Sequence, residues 1–243
     1  NRDPGDFRAN TALGRLYLMR GMFEKAHKHL LRAAARAGQG YTRPKDGEAL
    51  YYLGVALRFL GKTREAEESF SRASWDVGWA SAAAAQMAEI AAGQGRYLDA
   101  LERAERSASL NAWDSRARDM QTTLLRKLGR LEEAEGTARR SLAADPLDFW
   151  AANELRMILS ARGFDRDSDE LAAGLRIKMR DALENYLELA SDYAGCRLYA
   201  EAASVLSSLA NNRTPGSSSA LLHYELAYYS QQSWDESRAR RHL

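Results

Sequence analysis

The residue types that carry chemistry are few here and poorly spaced for it. Four histidines occur, His27, His29, His223 and His242. His27 and His29, two residues apart, diverge on a helix rather than share a face, whereas a metal site needs several ligands converging on one point. Cys196 is the single cysteine. It has no histidine near it in sequence and reads as a packed thiol, and one cysteine cannot form an internal disulfide. The glycines are widely spaced rather than clustered ahead of a helix as a phosphate-binding loop requires. The run Gly216-Ser217-Ser218-Ser219-Ala220 lacks the Gly-x-Ser-x-Gly elbow of a serine nucleophile. Glu67-Glu68 and Glu132-Glu133 fall at predicted helix starts, where carboxylates favour the positive end of the helix dipole. The expectation is a chain that is not an enzyme, with no catalytic residue, no metal and no cofactor.

Composition narrows the classes further. The 243 residues are 45% hydrophobic and 28% charged, with four prolines. Ala, Leu, Arg and Glu dominate, and all favour helices, so an all-α protein is predicted. Lys and Arg number 35 against 33 Asp and Glu, a net charge of +2. That balance lacks the concentrated basic excess of a nucleic-acid binder. No apolar run reaches the roughly 18 residues of a membrane-spanning helix. The single cysteine is compatible with a reducing compartment, and the cytoplasm is the predicted location. Abundant Ala and Arg fit a GC-rich bacterial source. The opening stretch "NRDPGDFRAN" has neither an initiating Met nor the apolar core of a signal peptide, and the chain reads as a fragment of a longer protein.

What would position any functional side chain is a repeat. Gly21, Gly61, Gly95, Gly129 and Gly163 are separated by 40, 34, 34 and 34 residues. Ala26, Ala66, Ala100 and Ala134 each lie five residues after one of the first four, and the register continues through Ser168 and Ala202 to Ala239. Seven residues before each glycine stands a small or variable residue: Gly14, Gly54, Ala88, Thr122 and Arg156, with Ala190 and Ala227 continuing the series. The pattern describes two amphipathic helices joined by a tight turn. Gly takes the left-handed conformation that ends the first helix, and small residues let the two helices cross closely. One such hairpin cannot bury its own apolar stripe, so neighbours stack.

This period and these residues resemble the tetratricopeptide repeat (TPR) family. The first copy reads Leu13-Gly14, Tyr17, Gly21, Ala26, Leu30, Ala33, and the second Leu50, Leu53-Gly54, Gly61, Ala66, Phe70, Ala73. The third keeps Met87-Ala88, Gly95 and Ala100, and the fourth Gly129, Ala134 and Asp145-Pro146. The fifth keeps Leu155 and Gly163 but decays to Ser168 in the alanine slot. The sixth reads Tyr186, Leu189-Ala190, Tyr193, Ala202, and the last Leu226-Ala227, Ala239, Leu243. The resemblance implies a right-handed superhelical solenoid of about seven hairpins in a single array, near 7–40, 47–80, 81–114, 115–148, 149–182, 183–216 and 220–243. Asp3-Pro4 sits where an earlier repeat would close. The insertions within Ala35–Glu48 and Asn211–Ala220 are rich in Gly, Pro and polar residues and read as surface loops. Local phrasing at Arg72–Ile90, Asp145–Leu155 and Glu184–Ala202 also resembles the TPR tails of large bacterial proteins that carry an N-terminal β-rich, carbohydrate-associated domain.

In this family the first helix of each hairpin lines a concave groove. Carried over position by position, the candidate partner-binding residues are Arg15, Tyr51, Tyr52, Arg58, Phe59, Glu89, Arg126, Lys127, Trp150, Asn153, Glu154, Glu188, Tyr224 and Tyr228. With Arg8, Glu48, Arg116, Asp119, Glu184 and Glu225 included, the groove is expected to be polarised, basic through the first four repeats and acidic through the last three. Such a groove could steer an extended peptide and fix its direction, with the aromatics as anchors. Thr11, Arg15, Tyr51 and Val55 replace the Lys and Asn with which some chaperone-binding members clamp a peptide terminus, so that mode is not expected. Trp79 and Trp113 share one repeat position and read as inter-repeat packing, with Trp75 one turn earlier, whereas Trp150 falls on the groove. The resemblance implies a scaffold for a protein or peptide partner, with self-association through open repeat ends as a further possibility. The alternative is an accessory module of a carbohydrate-active protein whose aromatics stack on sugar rings.

Overall fold

The computed structural model describes residues 5–39, 46–212 and 218–233. Asp3-Pro4, Ala239, His242 and Leu243, and the central parts of both insertions, lie outside the described residues. Every regular element among those described is an α-helix: α1 (Phe7–Met19), α2 (Phe23–Ala37), α3 (Glu48–Phe59), α4 (Thr63–Ala73), α5 (Val77–Gly93), α6 (Tyr97–Leu110), α7 (Ser115–Lys127), α8 (Leu131–Ala144), α9 (Phe149–Ala161), α10 (Asp165–Met179), α11 (Leu183–Gly195), α12 (Tyr199–Ala210) and α13 (Ala220–Gln232). Odd-numbered helices are the first helices of their hairpins and even-numbered ones the second. None among the described residues is long and apolar enough to cross a membrane.

The hairpin turn has one recurring geometry. Gly21, Gly61, Gly95, Gly129 and Gly163 take φ values from 67° to 82°, the left-handed region that a Cβ disfavours. The following N–H reaches back to a carbonyl five residues earlier, as Lys62 N to Leu57 O at 2.9 Å and Arg130 N to Leu125 O at 2.9 Å. This closes the first helix and starts the second without a side-chain cap at Lys62, Arg130 or Phe164. The sixth turn keeps the geometry without the glycine: Leu198 N bonds Tyr193 O at 3.0 Å, and Arg197 takes φ 56°.

At the crossing, size is complementary. A Cβ on Gly54 would lie 2.7 Å from the Phe70 ring, and one on Gly14 would run into Leu30. Leu30 and Phe70 are fully buried, and each such side chain contributes about 1.5–3 kcal/mol by leaving water. The second-helix alanines Ala26, Ala66, Ala100, Ala134 and Ala202 are all 0% exposed. Ser168 is buried in the same slot, its hydroxyl donating to Arg156 O at 3.0 Å.

The helices group into two compact units, one drawn from Asn1–Ile90 with Glu102–Ala117 and the other from Ala91–Leu101 with Arg118–Leu243. In the first unit α2 packs on α3, and the core joins Leu30, Leu50, Leu57 and Phe70 to Met87 and Ile90. In the second, α8 packs on α9, α12 on α13, and α11 touches both α9 and α13. The joint from α10 to α11 is the exception: α10 packs on α9 but forms no comparable contact with α11. Helix α10 buries little beyond Ser168 and Met179.

The tryptophans divide. Trp79 packs its ring 4.9 Å from Tyr51 and 5.5 Å from Tyr52, in line with an inter-repeat role. Trp113, at the same repeat position, is 93% exposed, so the shared position does not produce a shared packing role.

Candidate interaction face

In the first unit, the predicted groove residues form two clusters. Arg15 bonds Glu48 at 2.8 Å and lies 5.0 Å from the centre of the Tyr52 ring. Arg58 donates to Gln86 Oε1 at 2.7 Å and pairs with Glu89 Oε2, while Arg116 Nε reaches Glu89 Oε1 at 3.3 Å. Glu89 is only 4% exposed, and two guanidiniums offset the cost of burying it. Tyr51 packs on Phe70 and Trp79; burial, with the nearby Glu89 charge, pushes its hydroxyl up to about 12. Phe59 stacks on Phe23 at 4.4 Å between ring centres and remains exposed.

The second unit holds a longer polar chain. Arg126 donates to both oxygens of Glu154, at 2.6 and 3.2 Å, and to Glu201 Oε1 at 3.2 Å, where Lys127 also pairs. The Tyr193 hydroxyl donates to Glu154 Oε1 at 2.8 Å and accepts from Asn153 Nδ2 at 3.0 Å. Asn153 Oδ1 in turn accepts two bonds from Arg156, at 3.2 and 3.1 Å. Glu154 is fully buried. Burial pulls the Arg126 guanidinium down, but Glu154 outweighs it and the net effect is upward. For Glu201, Lys127 and Arg126 overcome the opposing effect of burial and hold the carboxyl below its usual range. Tyr193 is driven well up by burial and by Glu154.

Two expectations change. Trp150 is 4% exposed, its Nε1 donating to Thr123 Oγ1 at 3.0 Å and its ring 5.3 Å from Tyr193. The indole is large enough to fill the space between first helices, so it is packing and not an exposed anchor; the residue expected to be most available for a ring ligand is closed. Nor is Asp119 an exposed groove charge. It is 3% exposed, and burial, followed by the neighbouring Asp148, pushes its carboxyl up to about 9. Asp148 caps α9 through Ala151 N at 2.9 Å. Asp119 Oδ1 and Asp148 Oδ2 are both buried without another partner, and the side-chain hydrogen bond to Asp148 favours a proton on Asp119.

The expected polarisation is therefore mostly neutralised within each unit. Arg15, Arg58 and Arg116 meet Glu48 and Glu89, and Arg126 and Lys127 meet Glu154 and Glu201. Glu201 and Tyr193 were not among the predicted site residues. Tyr193 was legible only as a repeat-signature aromatic, and Glu201 sits on a second helix, outside the mapped positions. Outward outside those pairs are Arg8 on α1 and Phe59 (64% exposed) on α3 in the first unit, and Glu184 and Glu188 on α11 with Tyr224 (62%) and Tyr228 (42%) on α13 in the second, where carboxylates and rings share neighbouring helices. No three His, Cys, Asp or Glu side chains among the described residues converge as a metal site would need.

No protein-family model matches the chain. Solved structures do. A tetratricopeptide repeat protein from Parabacteroides merdae superposes with a TM-score of 0.65 at 18% identity, over 97% of this chain and 90% of that one. MamA gives 0.61 at 14% identity over 72% and 92%. YrrB, described as a TPR protein with an unusual peptide-binding site, gives 0.55 at 16% identity over 81% and 92%. These likenesses establish the fold, an all-helical solenoid of tetratricopeptide-type hairpins.

Proposed function

We propose that this chain is a non-catalytic interaction scaffold whose first-helix face holds an extended partner peptide, with recognition concentrated on α11 and α13. The observation that carries this reading is the pairing pattern: most predicted groove charges are bonded to one another, whereas Glu184, Glu188, Tyr224 and Tyr228 stand exposed on adjacent first helices. Two carboxylates beside two tyrosine rings suit a peptide bearing Lys or Arg, through charge complementarity and cation–π contact. The buried Arg126–Glu154–Tyr193 chain would hold the neighbouring helices in fixed positions, which limits the ordering cost of binding. The peptide-binding site ascribed to YrrB supports the same use of the fold. A reducing cytoplasmic setting suits the fully buried Cys196 thiol. Fluorescence anisotropy with a labelled Lys/Arg-rich peptide, an acidic peptide of equal length and an oligosaccharide tests the reading. Binding of the basic peptide alone, weakened about tenfold or more in Glu184→Lys/Glu188→Lys, is expected. Equal binding of both peptides, or binding of the oligosaccharide only, would refute it.

A further inference from the structure

The hairpin formed by α9 and α10 departs from the others at its crossing. In the position seven residues before the turn, Gly14 faces Leu30 and Gly54 faces Phe70; Ala88, Thr122 and Ala190 are all buried there too. Hairpin 5 places Arg156 at this point, with Ala172 on the opposing helix. Instead of a closed crossing, a cavity of about 410 Å³ opens among α9, α10, α11 and α12, in the second unit, where α10 and α11 meet only loosely. That volume is in the range of small-molecule sites. Its lining is mixed: Leu175, Met179, Leu189 and Val205 supply apolar wall, and Ser204, Ser208 and Asn212 share the lining with Arg156 and Arg176.

Among the described residues Arg156 has no carboxylate within ion-pair distance. Its Nε and Nη2 both donate to one neutral acceptor, Asn153 Oδ1, and Nη1 makes no bond among the described residues. Other partly buried arginines are neutralised: Arg58 by Glu89, Arg126 by Glu154 and Arg162 by Glu135. The acids nearest Arg156 act on it only through space. They are Glu154, whose oxygens are taken by Arg126 and Tyr193, and Asp169. Burial pulls the Arg156 guanidinium below its usual value, yet an arginine keeps its proton at any ordinary pH. The second cation on the wall, Arg176, is bonded to Asp181 at 3.0 and 3.2 Å, so Arg156 is the cation of the wall left without a direct ion pair among the described residues. Asn153 is itself fixed by Tyr193 at 3.0 Å, which orients the guanidinium in advance.

We infer that this cleft between hairpins 5 and 6 binds a small organic monocarboxylate with an apolar body, its carboxylate on Arg156 and its body among Leu175, Met179, Leu189 and Val205. A planar guanidinium edge matches a carboxylate in shape and charge, whereas one guanidinium leaves the second charge of a phosphate dianion without a counter-ion in a partly enclosed site. The inference does not depend on the peptide-binding reading, since it concerns other residues and another ligand.

Calorimetric titration of the whole chain with benzoate, hexanoate, acetate and inorganic phosphate, at constant ionic strength set by chloride, tests it. Saturable binding of benzoate or hexanoate is expected, at least about tenfold tighter than acetate or phosphate. Arg156→Met should lose that binding by at least about tenfold while raising the unliganded Tm, because a partly buried charge without a direct ion pair is removed. Ala172→Leu should lose it by filling the cavity with the cation still in place. The inference is overturned if no carboxylate saturates above the chloride control, or if phosphate binds tighter than benzoate. It is equally overturned if either variant binds benzoate with parental affinity, or if a folded Arg156→Met has a lowered Tm, which would make the guanidinium a packing element.

Discussion

Hairpins 2 and 5 are built on the same turn and differ at the crossing. Gly61 and Gly163 take φ 74° and 82°, and the backbone closes alike in both, with Lys62 N to Leu57 O and Phe164 N to Leu159 O each at 2.9 Å. Seven residues earlier, hairpin 2 has Gly54 under the Phe70 ring, and hairpin 5 has Arg156 with Ala172 opposite. The first is an apolar lock. The second is opened by a charge and braced by the polar chain that runs from Arg156 through Asn153 and Tyr193 to Glu154 and Arg126. The difference shows that the turn sets the repeat while the crossing is free to vary, and that variation there is where one hairpin acquires properties its neighbours lack.

The largest expected effect comes from breaking the brace. Glu154→Gln leaves Arg126 with Glu201 alone and deprives the buried Tyr193 hydroxyl of a charged acceptor. Removing one member of a buried ion pair costs about 3 kcal/mol or more, which at this chain length lowers Tm by roughly 6–12 °C; a thermal melt followed by circular dichroism reads it. A melt unchanged within a degree would show that the brace is not needed.

A matched pair of substitutions sharpens the contrast at the crossing itself. Gly54→Leu forces a side chain against Phe70 and should destabilise by about 2 kcal/mol, even after the gain in helix propensity of roughly 1 kcal/mol. Ala172→Leu adds bulk where a cavity exists and should cost less than about 1 kcal/mol. Equal losses in the two variants would mean that the crossings are not distinct.

The joint ahead of hairpin 5 makes a pH-dependent prediction. The folded Asp119 pKa, about 9, lies above its unfolded value of 3.8. Its contribution is therefore complete below pH 4 and is lost progressively as pH rises through about 9. Asp119→Asn should flatten that part of the stability–pH curve between pH 5 and 9, read as Tm against pH. A parental slope in the variant would assign the titration elsewhere.

Much of this frame was legible in the sequence. The glycine period located the turns because only a left-handed residue closes them, and the alanine slots located the crossings because only a small side chain fits there. The site was less legible. The pairing of Arg126 with Glu201 spans 75 residues, and no periodicity reports on such a partner. Trp150 was mapped outward by its position in the repeat, yet an indole that can donate to Thr123 is drawn into the joint instead. Arg156 was visible as the odd member of the small-residue column, but not as a cation without a direct ion pair, because that depends on which acids fail to reach it. Arg197 shows the converse: it closes a left-handed turn without the glycine that marks the others.

Hydrogen–deuterium exchange on the whole chain, with and without the Lys/Arg-rich peptide, tests the central claim most directly. The pairing pattern predicts added protection on α11 and α13, with α1 and α3 unchanged. Protection confined to α1 and α3, or none at saturating peptide, would contradict it.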